Sequence, residues 1–411
     1  MAFKIYSSTD SFGNYIKDKS ILGEMECEVT SLVESDSIKP KTFYKLPKKL
    51  RDILALDCPD AIITFNDEPV LVIEDSREAG TGHNAFQRFP RMVASLEHHI
   101  PYIYIYPEAA IVDRENAAIK WDPINPLIFK AMISLREIHN TPAMLFYYPS
   151  YYKENKSIDL DKYPSKGLKI DSKYLGCPDS NDTEIISLFE LINEYLSSIF
   201  NSTNLKDTFY EFNKSPKVRE RIDFLHEEFI KKANNKDWNE MSPLTATLKI
   251  PTNILLDYLS TYEKDGYQIG SLLRSRENTI IYLLDAKFRG DPYPGCVAAI
   301  DYLICRSGEE VEQRTTNLVM IWGDFSETTI TKISVKPNGK STITDFINEV
   351  KSSERKNLLN KNYNELESSE IPRYFMHLQE GTRFTKSKHL RVYSYFLDAI
   401  IFPDGALWRD S

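Results

Sequence analysis

The stretch "CPDAIITFNDEPVLVIEDSREAG", residues 58–80, decides how this chain is to be read. The runs "AIITF" and "PVLVIED" are apolar and β-branched, and "NDEP" between them carries turn residues. Together they predict an antiparallel hairpin. Asp60 stands directly before the first strand and Glu74 closes the second, fourteen residues later. Side chains alternate along a strand, so Ser76 shares a face with Glu74, and Arg77 follows it. Acids at both ends of a hairpin suit work on a phosphate, but Ser76 carries no charge.

The elements around this hairpin extend the pattern. A short helix in "PKKLRDILAL" precedes it, and a helix in "NAFQRFPRMVASLEHH" and a strand in "PYIYIYP" follow. Pro90 delays the start of that helix to as late as Phe89. Gln87 and Arg91 are four apart and share a helical face, with Arg88 beside them. A second segment repeats the order. It has a helix in "TNILLDYLSTYEK", strands in "YQIGSLL" and "TIIYLLDAK" joined by "RSREN", a helix in "PGCVAAIDYLICR" and a strand in "TNLVMIWG". Both segments read α-β-β-α-β. Near-continuous apolar strands such as "PVLVI" and "LVMIW" imply sheets covered on both faces, an α/β arrangement. In the second segment Asp265 opens the first strand, with Glu263 or Asp257 as alternatives to it, while Asp285 and Lys287 end the other.

Residues 151–240 read as a linker and helical connector. "YYPSYYKENKSIDLDKYPSKG" is loop-like, and "DTEIISLFELINEYLSSIF" places Ile185, Leu188, Phe189, Ile192, Leu196 and Ile199 at helical spacing. The expected organisation is a first module over 1–150, the connector, a second module over 241–330 and a mixed C-terminal segment over 331–411.

A hairpin with an acid at its start and acid-x-Lys at its end, set between helices and followed by a strand, resembles the PD-(D/E)xK nuclease superfamily. Type II restriction endonucleases are its commonest members of this size. The resemblance covers residues 45–110 and 250–325. It implies a restriction-endonuclease-like mixed sheet flanked by helices, in two such modules with helical connecting segments. It also implies a Mg²⁺-dependent endonuclease cutting double-stranded DNA, with Asp60, Glu74, Asp265 and Asp285 as metal ligands. Lys287 would orient water and offset developing charge, and Gln87 matches a glutamine that bears on the site in family members. The first module departs from the pattern at Ser76. Two unlike modules suit two non-identical active sites in one chain. The alternatives are one active module with the other recognising DNA, a non-specific defence or repair nuclease, and an interaction protein on an inactive nuclease scaffold.

Bulk properties fit this reading without requiring it. The chain has 411 residues and a net charge of −9, so any attraction to nucleic acid must be local. Two basic stretches without acids qualify: one contains Lys45, Lys48 and Lys49, the other Arg383, Lys386 and Lys388. The five cysteines are scattered, which argues against a zinc cage or a disulfide framework. No run reaches the roughly 20 apolar residues of a membrane span, and "MAFKIYSSTDSFGNY" has no signal-peptide core. Both point to a cytoplasmic protein. Recognised bases, cut positions and oligomeric state are not legible from the residues.

Overall fold

The computed structural model describes residues 2–32, 45–77, 86–113, 118–124, 126–154, 158, 165–225, 227–228, 247–259, 271–284, 292–306, 313–322, 324–325, 335–336, 392–393, 395–402 and 405–408. These fall into two compact units, the first within residues 2–228 and the second within 247–408. Both are α/β, with mixed sheets flanked by helices. Among the described residues no helix is long and apolar enough to cross a membrane.

In the first unit, strands β1 (Phe3–Ser7), β2 (Cys27–Ser31), β3 (Ala61–Phe65), β4 (Glu68–Asp75), β5 (Tyr102–Pro107) and β8 (Ala143–Tyr148) form one sheet in the order β2-β1-β3-β4-β5-β8. The β3–β4 hairpin is antiparallel, and β4–β5 and β5–β8 are parallel. On the other side β1 runs antiparallel to β3 and parallel to β2. The hairpin turn is Asn66-Asp67, with φ of 50° and 66°. Paired left-handed residues of this kind match the twist of the strands they join. A separate small hairpin is made by β6 (Ala109–Val112) and β7 (Lys120–Pro123).

The helices of this unit are α1 (Asp10–Lys19), α2 (Lys48–Ile53), α3 (Phe89–Glu97), α4 (Leu127–His139), α5 (Thr183–Phe200), α6 (Leu205–Lys214) and α7 (Pro216–Leu225). Helix α3 starts at Phe89 with Pro90 in its first turn, the position where a missing N–H costs nothing. Helix α1 lies close on β1 and β2 because Gly13 has no side chain: a Cβ there would sit 2.6 Å from Val29 Cγ1. Helix α5 is tied to the sheet by Tyr195 Oη, which donates to the Val70 carbonyl at 2.8 Å.

The second unit has a five-stranded sheet, β15-β14-β11-β10-β9, built from β9 (Thr247–Pro251), β10 (Asn278–Leu284), β11 (Thr316–Trp322), β14 (Ala399–Phe402) and β15 (Gly405–Trp408). A short two-stranded pairing, β12 (Asp324–Phe325) with β13 (Val335–Lys336), also belongs here. Helices α8 (Thr252–Leu259), α9 (Ser271–Ser275) and α10 (Pro292–Ile300) accompany the sheet. One expectation is corrected. The run "YQIGSLL" is not the strand next to β10, because its described residues begin α9, and β9 takes the antiparallel position instead. Leu273 packs with Ile250, Leu255 and Ile281 as a core residue of that helix. A short apolar run does not by its periodicity separate helix from strand. Asp265, Asp285 and Lys287 lie outside the described residues, as do Arg383, Lys386 and Lys388.

A buried ionic network ties the second unit together. Asp398 pairs with Arg276 at 2.8 Å and with Arg314, and Asp301 pairs with Arg306 at 2.5 Å and with Arg314. The Leu318 N–H also donates to Asp398. All of these side chains are almost fully buried. They gather at the N-terminal ends of β10, β11 and β14, whereas ligands of open α/β sheets bind beyond the C-terminal ends. The network therefore reads as a structural clamp. Replacing Asp398 by Ala would strand buried guanidinium charge and is expected to destabilise this unit by about 3–5 kcal/mol. Urea denaturation checks this, and a loss below about 1 kcal/mol would show that the pairs are solvated.

Candidate active site

Asp60 joins β1, β3 and β4 at one end of the first sheet. Its carbonyl accepts from the Ser8 N–H at 2.8 Å and from Ser7 Oγ at 3.1 Å. Its carboxylate accepts from Ser8 Oγ at 3.2 Å and from the Asp75 N–H at 2.9 Å. Its own N–H donates to Glu74 Oε2 at 3.3 Å. The hairpin thus brings Asp60 and the acids at the end of β4 together, as its spacing predicts.

Glu74 is turned inward, toward α3. It is 0% exposed, and its Oε1 accepts from Arg91 Nη1 at 2.6 Å and pairs with Arg88 Nε at 3.0 Å. Arg91 also holds Asp57 at 3.0 Å. Burial pushes the Glu74 carboxyl well above the usual carboxylate range, and Arg91 and Arg88 oppose that rise. Ser76 is 2% exposed, and its N–H donates to the Ile105 carbonyl of β5. Tyr102, Tyr104 and Tyr106 are a fully buried row on β5 and so do not stack on anything outside the protein.

Beside these acids opens a cleft of about 620 Å³. Asp60, Asp75, Arg77 and Arg88 supply its charge, and Ser8, Thr9 and Ser11 supply hydroxyls from the start of α1. Thr9 caps α1, its hydroxyl accepting from the Phe12 N–H. Lys166 also lines the cleft, from a turn in which Ser165 and Lys166 both have φ of 60°. Non-glycine residues in that conformation cost energy and persist where the surroundings hold them. Burial raises the Asp75 carboxyl well above its ordinary value; Asp60 adds to this, while Arg77 and Arg88 oppose it. Cys177 lines the same cleft, but burial pushes its thiol up to about 12, so it stays protonated and is no nucleophile.

The loop carrying Gly176 and Cys177 is built on Asp171. Its carboxylate accepts from the N–H groups of Lys173 and Tyr174 and from Ser180 Oγ at 2.7 Å, with Lys19 at 3.5 Å. Burial alone would raise its pKa, but these donors outweigh it and hold the carboxyl at about 2.

Other expected residues stand elsewhere. Gln87 is half-buried in the turn before α3, and Arg88 lines the cleft beside that turn. Lys45, Lys48 and Lys49 are exposed, and Lys49 pairs with Glu68 at 2.5 Å. Glu68 is the first residue of β4 and Asp75 the last, so Lys49 sits about 23 Å from the acids along the strand. Thr9, Lys166, Gly176 and Cys177 enter from segments whose sequence carries no signal for this site. Among the described residues, no three acidic, imidazole or thiol side chains form a ready metal cage. The donors on offer are paired carboxylates, leaving room for water and phosphate oxygens, an arrangement suited to Mg²⁺.

Because Asp171 has a depressed folded pKa, its contribution to stability is complete above the unfolded value near ~3.9. It is lost as pH falls toward about 2. Asp171→Ala should cost about 1.5–3 kcal/mol at pH 7, and the cost should vanish on acidification through that window. A cost that is constant down to pH 2 would assign the effect to packing. Comparison with family models, with curated proteins and with solved structures finds no match to this chain.

Proposed function

We propose that the first unit is a divalent-metal-dependent nuclease that hydrolyses phosphodiester bonds in double-stranded DNA, of the type II restriction kind. The observation that carries this reading is one juxtaposition. Asp60 before β3 and Asp75 at the end of β4 line one cleft together with the guanidinium groups of Arg77 and Arg88. The sheet around them runs β1-β3-β4-β5, antiparallel, antiparallel, then parallel. A mixed sheet carrying this hairpin supports the resemblance to the PD-(D/E)xK nucleases.

Arg77, Arg88 and the hydroxyl of Thr9 line the cleft where they can bind the oxygens of a phosphate. Asp60 stays rigid through its bonds to β1 and β4. When bound, Mg²⁺ supplies Lewis-acid polarisation of the phosphate and activation of water. In the reaction the water oxygen bonds to phosphorus and the bond from phosphorus to O3′ breaks. A water proton leaves to solvent and the departing oxygen takes one up. The products are a 5′-phosphate and a 3′-hydroxyl.

The second unit favours a two-site form of this reading. Its strands β9-β10-β11-β14 pair antiparallel, parallel and parallel, as β3-β4-β5-β8 do. Asp285 follows directly after β10, as the acids of the first unit end β4. Incubating supercoiled plasmid with the full chain and Mg²⁺ should give discrete linear fragments, stopped by EDTA. Asp60→Ala and Asp285→Ala should each lower double-strand cutting on the order of 100-fold while nicked circles accumulate. Loss of nicking as well in either variant, or no change in either, would overturn the two-site form. No cleavage by the wild-type chain would leave an interaction protein on a nuclease-like sheet.

A further inference from the structure

We infer that the acid and cation working in this cleft are Asp75 and Arg77, one residue displaced from the Glu74 and Ser76 that the motif designates. This rests on the nuclease reading for its chemistry, but its geometry stands alone. Residues 74 and 76 face one side of the sheet, and 75 and 77 face the other. On the inner side both Glu74 oxygens are engaged, Oε1 by Arg91 and Arg88 and Oε2 by the Asp60 N–H. Glu74 is sealed from solvent, so it serves as the anion that keeps α3 on the sheet.

On the cleft side the situation is reversed. Asp75 and Arg77 both line the cavity with Asp60. The Asp75 N–H donates to Asp60 Oδ2, and both residues line the same cleft. Asp75 Oδ1 is withdrawn from water and has no hydrogen-bond partner among the described residues. Buried carboxylate oxygens are rarely left so, and a hard cation shared with Asp60 would satisfy it. Arg77 has a seat of its own. Gly176 has φ of +84°, and a Cβ there would lie 2.7 Å from Arg77 Nη1. Tyr148 Oη donates to the Gly176 carbonyl at 3.1 Å and steadies that turn. The planar guanidinium of Arg77 suits two phosphate oxygens and offsets their charge.

The test uses the full chain with Mn²⁺ as the bound probe, read by electron paramagnetic resonance, alongside plasmid cleavage in Mg²⁺ and a thermal melt. Asp75→Asn should weaken Mn²⁺ binding at least about tenfold, with the melt little changed. Arg77→Ala should leave Mn²⁺ binding intact and lower kcat by about 10²–10³, with Arg77→Lys recovering part of that loss. Glu74→Gln should lower the melting temperature and keep Mn²⁺ affinity within about threefold, well short of the tenfold loss expected for a lost ligand shell. Mn²⁺ binding and cleavage unaffected by Asp75→Asn but abolished by a folded Glu74→Gln would overturn the assignment and leave the nuclease reading standing. Mn²⁺ binding that depends on Asp75, without any cleavage by the wild type, would support the assignment and sink the nuclease reading. A wild-type chain that neither binds Mn²⁺ nor cuts would overturn both.

Discussion

Asp60 lies where three strands must agree, and the geometry of the first unit follows from how its groups are used. Its carbonyl and one carboxylate oxygen hold the end of β1, its other oxygen holds the backbone of β4, and its N–H meets Glu74. Moving any one of these strands would leave several buried polar groups without partners, at roughly 1–3 kcal/mol each. The same clamp sets the cleft. It brings Ser8 and Thr9 at the start of α1 next to the acids of β4, although more than fifty residues separate them in the chain. Preorganisation of this kind lets charged groups act on a ligand without first being gathered.

A second constraint is electrostatic. The end of β4 carries two consecutive acids, and one sheet cannot bury both without countercharge. Strand alternation divides the problem. Glu74 receives Arg88 and Arg91 on the helix side, where a buried carboxylate needs paired cations. Asp75 is left at the cleft, with Arg77 exposed beside it. The inner cluster and the outer site share Arg88, so packing of α3 and the charge in the cleft are coupled. A change at Arg91 would therefore reach the cleft through Glu74 and Arg88.

Much of this was legible from residue types. The β-branched runs of residues 61–65 and 70–73, split by Asn66 and Asp67, define the hairpin, and Pro90 marks where α3 begins. The convergence of Asp60 with the end of β4 follows from that hairpin alone. What the sequence does not carry is the side on which each helix lies, and this decides between Glu74 and Asp75 as the outward acid. Gly176 and Lys166 join through tertiary packing, so neither has a local pattern to betray it. In the second unit, β9 holds Lys249 and Pro251, which look unlike a covered strand, while the apolar "YQIGSLL" looked more like one. The edge position of β9 resolves this, because an edge strand tolerates both proline and charge.

The two units solve the same structural problem with their charges at opposite ends. In the second, the ionic clamp of Asp301, Arg314 and Asp398 sits at the N-terminal ends of the parallel strands. Stability there is separated along the strands from the end where a ligand would bind. In the first, the Asp57–Arg91–Glu74 cluster sits directly behind the cleft. A cluster in that place does two things: it anchors α3, and it fixes the field that Asp75 and Arg88 experience. A lysine in place of Ser76 would add a further cation to a buried face that already holds Arg88 and Arg91. Serine at this position is thus consistent with the arginines having taken over the neutralisation of Glu74.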